Sequence, residues 1–267
     1  MKKEMEDIER RLTEVLSSSV LPMDAVLRHV GAVSGKRLRP QLVFMSARLF
    51  GEINESTRRA ALFVELLHTA TLIHDDVVDG SDIRRGQASV NSRWDSKTAV
   101  LAGDYLLSKA ILLLSNPEDQ LILKEMLGTA MVMSEGELMQ NRSQETEDRS
   151  QKDSALYLDI IERKTARLIR ACCVCGAMSV MGEETDDRRR KLELIGDFGL
   201  NLGLVFQMRD DILDDDNAED TALAQSLLPE YLDKALKALE ALTPYAEDLD
   251  ALEELRSLTV FFAKRDY

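Results

Sequence analysis

The stretch that decides the fold of this chain is residues 65–86, ELLHTATLIHDDVVDGSDIRRG. Its apolar residues recur at the three- and four-residue spacing of a helix that packs one face against a core. Three carboxylates follow, on Asp75, Asp76 and Asp79. Positions i and i+4 share one face of a helix, so Asp75 and Asp79 form a pair of neighbouring carboxylates.

A second stretch, residues 199–214, repeats this arrangement with aspartates at 210, 211 and 214 in GLNLGLVFQMRDDILD. Like charges this close repel one another and cost stability unless something binds between them. A chain that places such pairs twice beside apolar surroundings is typical of proteins that hold divalent cations. Carboxylate oxygens suit Mg²⁺, which takes its other ligands from waters and substrate phosphates.

Composition favours helix throughout the 267 residues. Only 5 residues are proline and 13 are glycine, while 45% are hydrophobic and 31% are charged. Apolar positions keep helical spacing along the whole chain, and we find neither alternating strand patterns nor a hairpin dipeptide between strands. We expect an all-α fold: a single-domain bundle of about ten helices over residues 1–267, around a deep central apolar cavity.

Charge and apolar patterning exclude several classes of protein. A formal net charge of −14 argues against general nucleic-acid binding, which needs a basic face. The N-terminal MKKEMEDIERRL lacks the apolar region of a secretory signal, and no apolar run approaches the roughly 18–20 residues of a membrane span. The clustered Cys172, Cys173 and Cys175 favour core packing over metal binding and a reducing, cytoplasmic location.

Basic residues are concentrated at a few points along the chain. Residues 35–40, GKRLRP, place three cations before an apolar helix, where charge and exposed backbone N–H groups can bind an anion. The alternative interpretation of this segment alone is a solvated basic turn. His68 lies two helical turns before Asp75 and so shares its face. Further phosphate-directed groups are Arg84, Arg85, Lys164, Thr165 and Gln207.

Together these segments resemble the trans-isoprenyl diphosphate synthases, or polyprenyl synthetases, and most resemble the octaprenyl-type members of medium and long product length. The similarity is collinear from about residue 30 to 216. The matching stretches are GKRLRP at 35–40, residues 65–86, AVLAGDYLLSKA at 99–110, EGELMQ at 135–140, ERKTARLI at 162–169 and residues 199–214.

The resemblance implies a transferase that condenses isopentenyl diphosphate head-to-tail (1′–4) with an allylic diphosphate. Three Mg²⁺ ions would link Asp75 and Asp79 on one side, and Asp210 and Asp214 on the other, to the allylic diphosphate. The implied catalytic residues are Asp75, Asp79, Asp210 and Lys164. The implied allylic contacts are Arg84, Lys164, Thr165 and Gln207. The implied isopentenyl diphosphate contacts are Lys36, Arg39, His68 and Arg85. The family also implies a homodimer.

Product length is expected to depend on the residues one turn before the first aspartates. Ala70 and Thr71 are not aromatic, which favours a product longer than fifteen carbons, of the kind used for quinone side chains. Two alternatives are a catalytically silent or regulatory subunit of a heteromeric synthase and a class I terpene cyclase. The two intact aspartate motifs argue against both.

The chain departs from the family after Asp214. Residues 215–220 run directly into a segment that resembles the family's last helices, and several tens of expected residues are absent near 215–222. These would include a lysine that contacts the allylic diphosphate. Two explanations stay open: a segment omitted from the sequence, or a true deletion that leaves the site open.

Overall fold

The computed structural model describes residues 1–32, 35–145, 154–182, 184–215 and 217–265. Within these ranges the chain is almost entirely helical, as predicted. The α-helices are α1 (Lys2–Val15), α2 (Leu21–Gly31), α3 (Leu38–Arg48), α4 (Glu55–Val78), α5 (Val90–Arg93), α6 (Ser96–Leu113), α7 (Gln120–Glu145), α8 (Ser154–Ile161), α9 (Arg167–Met178), α10 (Asp186–Asp214), α11 (Ala218–Leu242) and α12 (Leu249–Lys264). A π-helical turn, Glu162–Ala166, joins α8 to α9.

One small hairpin contradicts the expectation that the chain has no strands. Strands β1 (Ile83–Arg84) and β2 (Gln87–Ala88) pair antiparallel. The connecting residues Arg85 and Gly86 both have positive φ, at 51° and 79°, as a type I′ turn requires. The hairpin was not predicted because strands of two residues are too short to produce an alternating pattern.

The core lies where α3, α4, α9 and α10 pack together. Phe44, Phe63 and Phe198 are fully buried there, and each aromatic side chain of this kind contributes about 1.5–3 kcal/mol through burial. A Cβ on Gly176 of α9 would lie 2.2 Å from the carbonyl oxygen of Val43 on α3. The two helices cross so closely that only glycine fits.

Both aspartate motifs lie at the C-terminal end of a long helix. Helix α4 begins with a capping box between Asn54 and Thr57 and ends beside Asp79. Helix α10 begins at the cap Thr185 and ends at Asp214. The partial negative charge of a helix C-terminus disfavours carboxylates. Neither motif is therefore placed to stabilise its own helix.

The three cysteines confirm the core prediction. Cys172, Cys173 and Cys175 are unpaired and fully buried in α9, and burial raises the pKa of each thiol. Among the described residues, no single helix is long and apolar enough to cross a membrane. Helix α6 and the segment 117–143 meet the length and composition criteria only as a pair bent by 105°.

Candidate active site

The first carboxylate pair lies where α4 emerges from the core. Asp75 is half-buried, and this burial raises the pKa of its carboxyl to about 6. Neighbouring Glu137 raises that pKa further, while the nearby ammonium group of Lys164 opposes the shift. Asp79 follows one turn later and is exposed. Asp75 is therefore a carboxylate that gains from a bound cation.

The middle aspartate of this motif has a different role. Asp76 is buried, and its Oδ1 accepts hydrogen bonds from Arg84 Nε at 2.8 Å and Arg84 Nη2 at 2.5 Å. This ion pair fastens the β1–β2 hairpin to α4. The sequence predicts Arg84 as an allylic diphosphate contact. In this structure its guanidinium binds Asp76.

The second motif has the same division of roles. Burial raises the pKa of Asp210 to about 6, against the opposing charge of Arg265, which contacts its Oδ1. The middle residue Asp211 accepts hydrogen bonds from the Tyr157 hydroxyl at 2.6 Å and from Gln207 Nε2 at 2.9 Å. In both motifs, internal hydrogen bonds hold the middle aspartate in place.

The π-helical turn connects the two motifs. Lys164 binds Glu137 of α7 at 2.7 Å and lies within electrostatic reach of Asp75. Its neighbour Thr165 donates a hydrogen bond of 2.8 Å to Gln207 Oε1 on α10. The structure thus brings together Lys164, Thr165 and Gln207, three of the predicted allylic contacts, with their polar groups bound to protein groups here. π-Helical turns occur frequently at functional sites.

Two glycines allow this turn to fit between its neighbours. A Cβ on Gly136 of α7 would lie 2.7 Å from Arg163 Cβ, and a Cβ on Gly203 of α10 would lie 2.5 Å from Ala166 Cα. Contacts this short do not occur between real Cβ atoms and their neighbours. Both positions lie in stretches that the sequence singles out, residues 135–140 and 199–214. The glycines therefore set the distance of the turn from α7 and α10.

All four predicted isopentenyl diphosphate contacts line one cavity of about 530 Å³. They are Lys36, Arg39, His68 and Arg85. Among the described residues, its lining also includes Arg37, Arg265 and one carboxylate, Glu65. Five positively charged side chains line this cavity, Lys36, Arg37, Arg39, Arg85 and Arg265, and two of them also bind carboxylates: Arg37 binds Glu65, and Arg265 binds Asp210. This excess of positive charge suits a di-anion or tri-anion.

His68 is a neutral group in this cavity. Burial lowers the pKa of its imidazole well below the usual range, and the neighbouring Arg39 and Arg85 lower it further. The Nε of Arg39 is buried without a hydrogen-bond partner. A buried donor without a partner is costly, so it points to a ligand that completes its bonding.

The donor set fits Mg²⁺ bound jointly with a substrate. Asp75, Asp79, Asp210 and Asp214 supply only oxygen ligands. Among the described residues, no three His, Cys, Asp or Glu side chains come close enough to hold a metal ion by themselves. Mg²⁺ commonly binds through one or two carboxylates together with phosphate oxygens. Two pairs of aspartates agree with this mode of coordination.

Several residues of the site were not predicted from the sequence. Glu137 lies in residues 135–140, one of the stretches that carry the resemblance, so the sequence could have indicated it as a site residue. Tyr157 and Arg265 have no local signal, because only the packing of α8 and α12 brings them to α10. Glu65 and Arg37 lie in stretches that were singled out, but their pairing is visible only in three dimensions.

The geometry agrees with the comparisons of the sequence. The profile of the polyprenyl synthetase family matches residues 22–222. The chain belongs to the polyprenyl synthetase family. It is 36% identical over 211 residues to the all-trans-nonaprenyl-diphosphate synthase (geranyl-diphosphate specific) of Rhodobacter capsulatus, covering 79% of this chain and 62% of that protein. It is 39% identical over 192 residues to the geranylgeranyl diphosphate synthase of Sulfolobus acidocaldarius, covering 69% and 56%.

A solved structure confirms the fold. The polyprenyl synthase of Caulobacter crescentus, crystallised with calcium and isoprenyl diphosphate, superposes with a TM-score of 0.81. The two chains are 30% identical, and the match covers 100% of this chain and 96% of that one. The predicted all-α isoprenoid synthase fold and the family are thus both confirmed. The matched sequence spans less than two thirds of the length of the two curated relatives. The segment expected near 215–222 stays a prediction.

Proposed function

We propose that this chain is a Mg²⁺-dependent prenyltransferase that condenses isopentenyl diphosphate head-to-tail with an allylic diphosphate. The product is an all-trans polyprenyl diphosphate. The observation that carries the proposal is the presence in one molecule of two sites of opposite charge, each suited to a diphosphate in a different way: directly, or through bound metal. One is the cationic cavity around Arg39, and the other is the pair of carboxylate motifs joined through the Lys164 turn.

The allylic diphosphate is assigned to the carboxylate side. Asp75, Asp79, Asp210 and Asp214 would hold Mg²⁺, three ions in all, and Mg²⁺ would neutralise the negative charge of the diphosphate as its bond to carbon breaks. Lys164 adds a positive charge from the π-helical turn, and Arg84, Thr165 and Gln207 are assigned to the same diphosphate. The catalytic set is Asp75, Asp79, Asp210 and Lys164.

Isopentenyl diphosphate is assigned to the cationic cavity. Lys36, Arg39 and Arg85 supply charge, and Arg39 offers its unpartnered Nε. Because the imidazole of His68 is neutral, it contributes a hydrogen bond without adding charge. The assignment separates the two diphosphates, so that only the allylic one would bind through metal held by the aspartate motifs.

The reaction follows from this placement. The allylic C–O bond breaks and its electron pair leaves with the diphosphate. The π electrons of isopentenyl diphosphate then form the new carbon–carbon bond to the allylic cation. The proton lost from the adjacent carbon goes to the departed diphosphate, because Asp76 and Asp211 are already hydrogen-bonded and the other aspartates are assigned to the metal. We assign the exclusion of water from the cation to apolar side chains of the surrounding helices.

Product length is proposed to exceed fifteen carbons. Ala70 is buried one turn before the first motif, and the hydroxyl of Thr71 bonds to its own helix at the carbonyl of His68. Neither side chain is bulky. The curated relatives include both geranylgeranyl and nonaprenyl synthases, which agrees with a medium or long product. We propose that the product supplies a quinone side chain. We also propose that the protein is located in the cytoplasm.

A homodimer is proposed from exposed apolar side chains. Leu101 and Leu112 on α6 are 61% and 69% exposed, and Met131 and Leu138 on α7 are 68% and 57% exposed. Rows of exposed apolar residues on two long helices are typical of a protein interface. A second copy of this chain is the proposed partner.

The test is turnover by the purified protein with Mg²⁺, farnesyl diphosphate and labelled isopentenyl diphosphate. We expect labelled products longer than fifteen carbons, lost when Mg²⁺ is chelated and reduced by orders of magnitude in Asp75→Asn and Asp210→Asn. Glu253→Gln, at an exposed position of α12 outside the site, provides a control with normal turnover. A hydrocarbon product would establish a terpene cyclase instead.

A silent or regulatory subunit is the alternative. One observation favours it: only residues 215–217 separate α10 from α11, so the connection beside Asp214 is short. This reading predicts that both substrates bind to the purified protein without any condensation. Turnover by the chain alone excludes it.

A further inference from the structure

The cationic turn of residues 35–39 contains a strained residue. Arg37 precedes α3 with φ 49° and ψ 38°, in the left-handed region that side chains other than glycine rarely adopt. Such a conformation persists only where surrounding contacts enforce it, and it often marks a functional constraint. The arginine side chain makes such contacts here, and Gln41 Nε2 adds a hydrogen bond of 2.8 Å to the carbonyl oxygen of Lys36.

The side chain of Arg37 is held by two carboxylates. Its Nη1 donates to Glu65 Oε1 at 2.6 Å, and its Nε donates to Glu9 Oε1 at 2.7 Å. The side chains of Arg37 and Glu65 are only 11% and 5% exposed, whereas that of Glu9 is 44% exposed. The Arg37–Glu65 pair is therefore the buried member of the network, and Glu9 is its solvent-facing member.

This network lies next to the proposed protein contacts of isopentenyl diphosphate. Glu65 lies on α4 one turn before His68, and it is within electrostatic reach of Arg39. A Cβ on Gly35 would lie 3.1 Å from Arg85 Nη1, so the turn packs tightly against that arginine. A shift of the turn would consequently move Lys36 and Arg39 relative to His68 and Arg85.

We propose that Glu65 and Arg37 are positioning residues for isopentenyl diphosphate. Glu65 anchors Arg37, and Arg37 holds the left-handed turn that presents Lys36 and Arg39 to the cavity. The proposal rests on the proposed function and adds two residues to it. Neither of them needs to touch the substrate.

The proposal and the charge of Glu65 alone predict opposite changes in isopentenyl diphosphate affinity when Glu65 is replaced. Glu65 is a carboxylate in the wall of an anion site, so its charge alone repels a diphosphate, and its removal would tighten binding. If Glu65 instead positions the turn, its removal weakens binding. The direction of the change distinguishes the two.

The experiment measures isopentenyl diphosphate binding to the full chain by calorimetry, with metal chelated. We expect Glu65→Gln to weaken the affinity by about tenfold, since small displacements of binding groups cost on this order or more. In turnover assays, KM for isopentenyl diphosphate rises while kcat and KM for the allylic substrate change little. Glu9→Gln removes the same charge from the same arginine at an exposed position, and we expect a change of less than about twofold.

Three further variants distinguish a positioning effect from a folding defect. Arg37→Lys keeps the charge, and we expect it to lose less affinity than Arg37→Gln. The double variant, which combines Arg37→Gln with Glu65→Gln, should lose no more affinity than either single variant, because the two residues act through the same contact. Unchanged or tighter binding in folded Glu65→Gln overturns the proposal. Additive losses in the double variant also overturn it. Normal wild-type binding without turnover would reject the proposed function alone, and absence of wild-type binding would reject both.

Discussion

In each aspartate motif, the first and the middle carboxylate have different roles. The middle carboxylates, Asp76 and Asp211, are hydrogen-bonded to Arg84 and Tyr157. The first carboxylates, Asp75 and Asp210, keep raised pKa values near 6 because burial disfavours their charge. A site whose carboxylates are held in such unfavourable surroundings is stabilised when a cation binds. Without the cation, these carboxylates lower the stability of the protein.

Asp75 therefore makes the stability of the metal-free protein depend on pH. Its pKa is raised from 3.8 to about 6, so the folded protein binds more protons than the unfolded chain between these values. Stability is expected to fall as the pH rises through this window and to level off above it. Because the group is partly exposed, solvent screening reduces the effect to on the order of 1 kcal/mol.

Asp75→Asn is accordingly expected to raise the melting temperature of metal-free protein at neutral pH by about 2–4 °C. The same variant should lose the stabilisation that Mg²⁺ and pyrophosphate give to the wild type. Asp79→Asn, an equal charge change at an exposed position, provides the control and should shift the melting temperature little. Thermal melts with and without chelator measure this. A lower melting temperature for metal-free Asp75→Asn would contradict the account.

Tyr157→Phe tests the anchoring of the middle aspartate. The hydroxyl donates to the Asp211 carboxylate at 2.6 Å, and hydrogen bonds to charged groups contribute about 1.5–3 kcal/mol. We expect the free energy of unfolding in urea to fall by about 2 kcal/mol. Tyr105→Phe removes a hydroxyl whose bond to the Ser17 carbonyl is 3.5 Å long, and its cost should be below about 0.5 kcal/mol. Equal costs for the two variants would refute the anchoring role.

At the scale of elements, the π-helical turn depends on the glycines beside it. A Cβ on Gly203 would meet the backbone of Ala166, and overpacking of this kind costs about 1–3 kcal/mol. Gly203→Ala should displace Lys164 and Thr165 and lower kcat/KM for the allylic substrate by about tenfold. Gly128→Ala on α7 meets nothing within 4 Å and should stabilise its helix by about 0.5–1 kcal/mol. Kinetics and melts of the two variants measure the contrast. Normal kinetics for Gly203→Ala would disprove the role of the close contact.

The sequence predicted elements better than it predicted partners. Helical spacing indicated α4 and α10 and put both motifs on them, because periodicity and burial are local properties of the chain. The strands of the hairpin at Arg85 are too short to give an alternating pattern, and the π-helical turn at Lys164 depends on contacts with α7 and α10, so no local pattern predicts either of them. Similarly, three cations in residues 35–40 look equivalent in sequence. The structure shows that all three line the cavity, and that Glu65 and Glu9 bind the guanidinium of Arg37.

At the scale of the whole molecule, the exposed apolar faces of α6 and α7 predict self-association. Met131→Glu should shift the protein from a dimer toward the 30.0 kDa monomer in size-exclusion chromatography with light scattering. Leu249→Glu, at a 62% exposed leucine of α12, is the matched control and should leave the dimer intact. A monomeric wild type, or a dimer unaffected by Met131→Glu, would argue against this interface.

The central claim concerns two diphosphate sites of different chemistry within one chain. Calorimetry with isopentenyl diphosphate and a non-reactive thio analogue of farnesyl diphosphate, each with and without Mg²⁺, tests it most directly. Isopentenyl diphosphate should bind without metal because the cavity around Arg39 supplies the positive charge. The allylic analogue should bind only with Mg²⁺, because its site is built from carboxylates, and neither ligand should displace the other. Mutual displacement, or metal-independent binding of the allylic analogue, would contradict the account.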